Sequence, residues 1–147
     1  MALMSFPLII LYPFMKRYTN WPQLFLGLVF NWGILIISIE FFNKLNLDLI
    51  VLYIACIFWT LAYDTIYAYQ DRKDDIKSNI KSTAVLFGSS GLKYVSFFYI
   101  IFFSLIAFLG YKSSGSMISL AVIFISIFVM IIYLNKWQLE SVNSSNS

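Results

Sequence analysis

Four long apolar runs constrain the fold of this chain more than any other feature of its sequence. They cover approximately Leu24–Phe42, Leu47–Tyr69, Tyr94–Tyr111 and Met117–Leu134. Each run is close to the roughly 20 residues that an α-helix needs to cross a hydrocarbon core of about 30 Å. The runs lack the alternation of a membrane β-barrel, and an open sheet cannot leave its edges unpaired in lipid. The sequence therefore predicts an all-α integral membrane protein.

Composition excludes a soluble globular domain. The chain is 61% hydrophobic and 12% charged, whereas soluble domains average about 45–50% and about 25%. A chain of 147 residues cannot hide so much apolar surface in one core. The apolar stretch Met1–Phe14 has no basic residue before it and no small-residue cleavage site after it, so it predicts a short membrane helix and not a secretion signal. We expect a helical bundle of four full transmembrane helices plus this short one, forming a single membrane domain over residues 1–147.

The basic residues predict how the chain is oriented. If the helices cross in succession, eight of the ten Lys and Arg fall on the side of Lys16 and two on the other. Such an excess marks the cytoplasmic side of a membrane protein. It also explains the net charge of +3 without a nucleic-acid partner. The eight are Lys16, Arg17, Arg72, Lys73, Lys77, Lys81, Lys93 and Lys136, and the two are Lys44 and Lys112.

An acidic stretch at the end of the second full apolar run carries the strongest functional signal. Four of the seven acidic residues lie between Tyr63 and Asp75. On a continuous helix, Asp71 and Asp75 would lie within roughly 20° of Asp64, on one face. Asp64 and Asp75 would be about 16 Å apart along the axis, too far to share one ion. The spacing predicts a shared ligand for Asp71 and Asp75 only.

A divalent cation is one such ligand. Carboxylates at positions i and i+4 repel each other, and Mg²⁺ favours carboxylate oxygens, bound water and substrate phosphates. One interpretation of this stretch is therefore a Mg²⁺–diphosphate site with an isoprenoid tail in the membrane. The alternative is a solvated helix end whose charges are balanced by Arg72, Lys73 and Lys77.

Two motifs, in this order and at this separation, are typical of one enzyme family. One is Tyr63-Asp64-Thr65-x-Tyr67-Ala68-x-x-Asp71-Arg72-x-Asp74-Asp75 with the following Ile80-Lys81-Ser82-Thr83-Ala84, and the other is Tyr12-Pro13-Phe14-Met15-Lys16-Arg17-Tyr18-Thr19 with Pro22, Gln23 and Gly27. Together they resemble the UbiA-type aromatic prenyltransferases, in the branch that acts on 4-hydroxybenzoate. The resemblance covers Leu11 to about Glu140.

The resemblance implies Mg²⁺-dependent transfer of a polyprenyl group from polyprenyl diphosphate to 4-hydroxybenzoate, a step in ubiquinone synthesis. It assigns catalysis to Asp71, Asp75 and Asp64, Mg²⁺ binding to Asp71 and Asp75, and substrate binding to Arg17, Lys16, Lys81 and Tyr67. Charge that develops on the departing diphosphate must be stabilised where it forms. Lys16 and Arg17 also satisfy the orientation rule without any substrate.

The chain departs from the family in length. Members resemble one another in having about nine helices, about twice this length, and a first motif Asn-Asp-x-x-Asp-x-x-x-x-Asp that is not found in this sequence. We expect the chain to lack that N-terminal half and the final helix or helices. It would then be a piece of a split gene, a decaying gene or a truncated sequence, inactive alone and completed by a companion chain with the first motif.

Two other interpretations stay open. The chain could belong to an enzyme of the same type with another aromatic acceptor, such as homogentisate or a dihydroxynaphthoate. It could also be a non-catalytic membrane protein whose acidic helix end binds a cation or a partner helix. For all of these we expect a multi-pass protein of the bacterial or mitochondrial inner membrane.

Overall fold

The computed structural model describes residues 2–145, and every regular element within that range is helical. The elements are α1 (Ala2–Tyr18), α2 (Pro22–Phe30), α3 (Gly33–Phe42), α4 (Leu47–Ala68), α5 (Arg72–Lys77), α6 (Thr83–Phe87), a 3₁₀ turn (Gly88–Ser90), α7 (Gly91–Ser114) and α8 (Met117–Ser145). Four stretches of the described chain are long and apolar enough to cross a membrane: Pro22–Phe42, Leu47–Ala68, Thr83–Ser114 and Leu120–Trp137. The predicted all-α integral membrane bundle is confirmed, with four crossing stretches, the first of them divided between two helices, and a shorter α1.

The first crossing stretch is broken, where the sequence predicted one helix. Its two halves, α2 and α3, meet at Asn31 and Trp32. The Asn31 side-chain amide donates to the Gly27 carbonyl at 2.8 Å and to the Thr60 hydroxyl of α4 at 2.9 Å. A polar side chain inside an apolar helix is stable when a neighbouring helix supplies its partner. The break is therefore held in place by a bond to another helix.

Helix α4 is the centre of the bundle. The Asn46 side chain caps its start by accepting from the Asp48 amide at 2.9 Å. Gly27 lets α2 approach closely, since a Cβ there would lie 3.2 Å from the Ile57 side chain. On the other side α4 packs against α7. Buried residues of α4, α6, α7 and α8 form the core: Leu61, Ala62, Phe87, Val95, Phe98, Tyr99 and Leu134.

Contacts at both ends of the bundle show that successive crossings run antiparallel. At one end the Tyr69 and Trp137 rings pack edge to face, with centroids 5.5 Å apart. At the other end Lys112 forms an ion pair with Asp48. Residues 69–82, between α4 and α6, carry Asp71, Asp74 and Asp75 and are called the acidic segment. The acidic segment therefore lies at the same end of the bundle as the end of α1 and the Trp137 region of α8.

Candidate functional site

The acidic residues do not share one helical face, so that prediction is wrong. Helix α4 ends at Ala68, and a turn leads to Asp71, which precedes the first residue of α5. The Gln70 amide bonds the Tyr67 carbonyl at 2.9 Å, a tight contact over three residues that closes α4. The new helix places Asp74 and Asp75 in its first turn, where the helix dipole favours acidic side chains. Asp64 thus belongs to a different helix from Asp75.

Asp71 and Asp75 nevertheless remain one turn apart. The Asp75 amide donates to the Asp71 carbonyl oxygen at 2.9 Å. Asp71 is exposed and Asp75 is half-exposed, and neither carboxylate has a hydrogen bond or ion pair within residues 2–145. Asp74 differs from both, because it pairs with Lys77 at 3.5 Å. The two free carboxylates are the candidate cation site.

The described part of the chain offers no larger acidic group. No cluster of three or more Asp, Glu, His or Cys side chains in it could surround a metal ion. The site predicted here consists of two carboxylates, which matches a cation that takes its other ligands from water and phosphate.

Asp64 lies within electrostatic range of the end of α1. Its side chain is half-buried in α4, and Lys16 is the cation that acts on its charge. Tyr12, one turn before Lys16 on α1, also interacts electrostatically with Asp64. The structure thus places Lys16 within electrostatic range of Asp64, although the two residues are far apart in sequence.

The other predicted substrate-binding residues lie in different settings. Arg17 is exposed in the last turn of α1. Tyr67 is 61% exposed and packs edge to face against Tyr63, with ring centroids 6.2 Å apart. The Lys81 ammonium donates to the Tyr18 carbonyl at 3.3 Å. It thus satisfies a carbonyl group at the end of α1 that has no partner within the helix.

The turn between α5 and α6 fixes the course of the chain. Asn79 adopts a left-handed conformation with φ of 53°. The Asn79 amide bonds the Ile76 carbonyl at 3.3 Å, and the Ile80 amide bonds the Asp75 carbonyl at 2.8 Å. This pair of bonds is a Schellman motif, which ends a helix by satisfying its last carbonyls. The chain then turns back towards α1.

The sequence analysis gave Tyr69 no role, and it considered Arg72 only as a counter-charge at a solvated helix end. The Tyr69 hydroxyl donates to the Gly88 carbonyl at 2.7 Å, and its ring occupies the space a side chain on Gly91 would need. Arg72 is half-buried, with its guanidinium 6.0 Å from the centre of the Tyr69 ring and its Nε buried without a partner. Burial raises the pKa of the Tyr69 phenol, and Arg72 partly opposes that rise. Gly88 and Gly91 were the available signal in the sequence, since a glycine can mark a place where another group approaches the backbone closely.

Comparison with known proteins identifies the family of the chain. The model of the UbiA prenyltransferase family matches residues 1–146. Over 141 residues the chain is 41% identical to a 4-hydroxybenzoate octaprenyltransferase of Francisella tularensis subsp. mediasiatica, covering 95% of this chain and 50% of the relative. Over 99 residues it is 46% identical to 4-hydroxybenzoate geranyltransferase 1 of Lithospermum erythrorhizon, covering 67% of this chain and 32% of the relative. The chain thus spans about half the length of the curated octaprenyltransferases it matches.

A solved structure shares the fold. The apo structure of a UbiA homolog from Aeropyrum pernix K1 matches with a TM-score of 0.72 at 21% identity. The match covers 98% of this chain and 56% of the homolog. It supports the arrangement of helices described above.

Proposed function

Because the chain belongs to the UbiA prenyltransferase family, we propose that it carries half of the active site of a 4-hydroxybenzoate polyprenyltransferase of ubiquinone synthesis. The reaction would transfer a polyprenyl group from polyprenyl diphosphate to the aromatic ring. The observation that carries the proposal is the pair of unpartnered carboxylates, Asp71 and Asp75, at the polar end of a lipid-embedded bundle. A diphosphate head can reach this end while its tail lies among apolar helices.

Asp71 and Asp75 fit Mg²⁺ as ligands. The two residues are one helical turn apart, and neither forms an ion pair with a cation of the described chain. Two carboxylates leave most of the octahedron to water and phosphate oxygens, as Mg²⁺ prefers. When bound there, the ion would supply positive charge to the diphosphate as it leaves.

The basic end of α1 suits the anionic parts of the substrates. Arg17 is exposed and carries a guanidinium whose shape matches a carboxylate or phosphate. Lys16, exposed in the last turn of α1, would add to the positive field there, and Lys81 would add its charge beside Tyr18. Tyr67, exposed one turn from Asp64, would contact the substrate near its reacting end.

The acidic segment would lie on the cytoplasmic side of a bacterial inner membrane. This orientation rests on the excess of basic residues predicted at that end of the bundle. Both the diphosphate substrate and 4-hydroxybenzoate would then approach from the cytoplasm.

The test is a prenyl-transfer assay with the chain alone and with a second polypeptide that carries the family's first Asp-rich motif. We expect product only when both polypeptides are present, because Asp71 and Asp75 would coordinate the cation from one side only. Parallel assays with homogentisate and a dihydroxynaphthoate identify the acceptor. Product from the purified chain alone would contradict the need for a companion chain.

A second candidate function is supported by the same carboxylates. Without catalysis, Asp71 and Asp75 would still form a cation-binding end on a membrane protein. Absence of product with every acceptor and companion, together with retained cation binding, would favour this function.

A further inference from the structure

A chain of buried polar groups joins α2, α4 and α6 next to the acidic segment. Gln23, Thr65 and Thr83 are all at most 3% exposed. The Thr83 amide donates to Gln23 Oε1 at 3.1 Å, and the Thr83 hydroxyl lies 2.7 Å from that of Thr65. Thr65 precedes the acidic segment and Thr83 follows it, so their bond closes the segment into a loop.

The direction of the bond between the two hydroxyls can be derived. The Thr65 hydroxyl lies 2.6 Å from the Leu61 carbonyl, to which it donates its only proton. Thr83 must therefore be the donor to Thr65. A residue without a hydroxyl at position 83 would leave the Thr65 oxygen with no donor in a buried site, which is unfavourable.

We propose that Thr83 is a positioning residue for the candidate cation site. It does not touch the site; it holds the start of α6 to α4 and so fixes both ends of the segment with Asp71 and Asp75. The Lys81 amide, two residues before Thr83, bonds the Lys16 carbonyl at 2.9 Å. The same anchor therefore sets the distance between the carboxylates and the basic end of α1. This inference rests on the proposed function.

Thr60 provides a matched control on the same helix. It is 1% exposed, its hydroxyl bonds the Cys56 carbonyl at 2.9 Å, and it accepts a bond of 2.9 Å from Asn31. Thr60→Val removes the same kind of buried contact between helices. It does so at the break between α2 and α3, outside the acidic segment.

The experiment compares the full wild-type chain with Thr83→Val, Thr83→Ser and Thr60→Val in detergent micelles. Hydrogen exchange reports the protection of amides 70–81, and electron paramagnetic resonance reports the binding of Mn²⁺ in place of Mg²⁺. We expect Thr83→Val to speed exchange over 70–81 and to weaken Mn²⁺ binding, each roughly five- to tenfold, as for the loss of one buried hydrogen bond. Thr83→Ser should stay within about twofold of wild type, because it keeps the donor.

The outcomes separate the inference from the function on which it rests. Unchanged exchange over 70–81 in Thr83→Val, or an equal rise in Thr60→Val, overturns the role of Thr83. Mn²⁺ affinity unchanged by Thr83→Val, in a wild-type chain that binds the ion, also overturns it. A wild-type chain that binds no Mn²⁺ while Thr83→Val still loosens the segment supports the anchor and refutes the cation site.

Discussion

Lys81 and Lys16 are joined through their backbones, with the Lys81 amide donating to the Lys16 carbonyl oxygen at 2.9 Å. The contact connects the end of the acidic segment to the last turn of α1, across a long stretch of sequence. It brings two lysines to the same place, although like charges repel. Asp64 and the two carboxylates of the α5 turn belong to the same end of the bundle. Basic and acidic side chains are therefore concentrated at this end of the bundle. The proposed site, in which a cation and an anionic substrate bind together, needs both.

The first prediction separates the three acidic residues of the α5 region. In the proposed enzyme, completed by its companion chain, Asp71→Asn or Asp75→Asn should lower prenyl transfer by about a hundredfold or more, because each removes a proposed charged ligand of the cation. Asp74→Asn should keep activity within about threefold, since its carboxylate is exposed and pairs with Lys77. The measurement is incorporation of labelled 4-hydroxybenzoate into prenylated product. Equal losses for all three variants would mean that activity depends on the total negative charge of this segment and not on a specific cation site.

The second prediction concerns the packing of Tyr69 against α7. Gly91→Ala would place a methyl group on the Tyr69 ring, so it should destabilise the fold by about 1–3 kcal/mol. Gly33→Ala is the control, because nothing lies within 4 Å of a Cβ at that position. Its effect should stay within about 1 kcal/mol, in the stabilising direction for a residue within a helix. Thermal unfolding in detergent compares them, and a Gly91→Ala chain as stable as Gly33→Ala would contradict the close contact.

The third prediction follows from the phenol of Tyr69. Burial raises its pKa above the ordinary value of about 10, so the folded chain holds the phenolic proton more tightly than the unfolded chain. The stabilisation is therefore complete below about pH 10 and is lost as pH rises through the folded pKa. Tyr69→Phe should cost about 1 kcal/mol at neutral pH, for the bond to Gly88. Above about pH 10, wild type should lose stability relative to Tyr69→Phe; a constant difference from pH 7 to 11 would contradict this.

The spans could be predicted from the sequence because an apolar run of this length has few alternatives in lipid. The run predicted over Leu47–Tyr69 forms α4 at Leu47–Ala68. The motif resemblance was equally direct, and the family match over residues 1–146 confirms it. The sequence analysis failed where a distant partner decides local structure. Asn31 breaks its helix through a bond to Thr60, and the segment after Ala68 is fixed by contacts of Tyr69 with Gly88, which helical periodicity cannot show.

The fourth prediction tests the orientation of the bundle. Cys56, in α4, is first replaced by alanine, and single cysteines are then introduced as Ser78→Cys or Ser113→Cys, both at exposed positions. Ser78 lies beside the acidic segment, and Ser113 lies next to Lys112 at the opposite end. In intact bacteria a membrane-impermeant maleimide should label Ser113→Cys at once and Ser78→Cys only after permeabilisation, because we propose that the basic end faces the cytoplasm. The reverse pattern would place the acidic segment outside the cell, and labelling of both from one side would contradict the antiparallel crossings themselves.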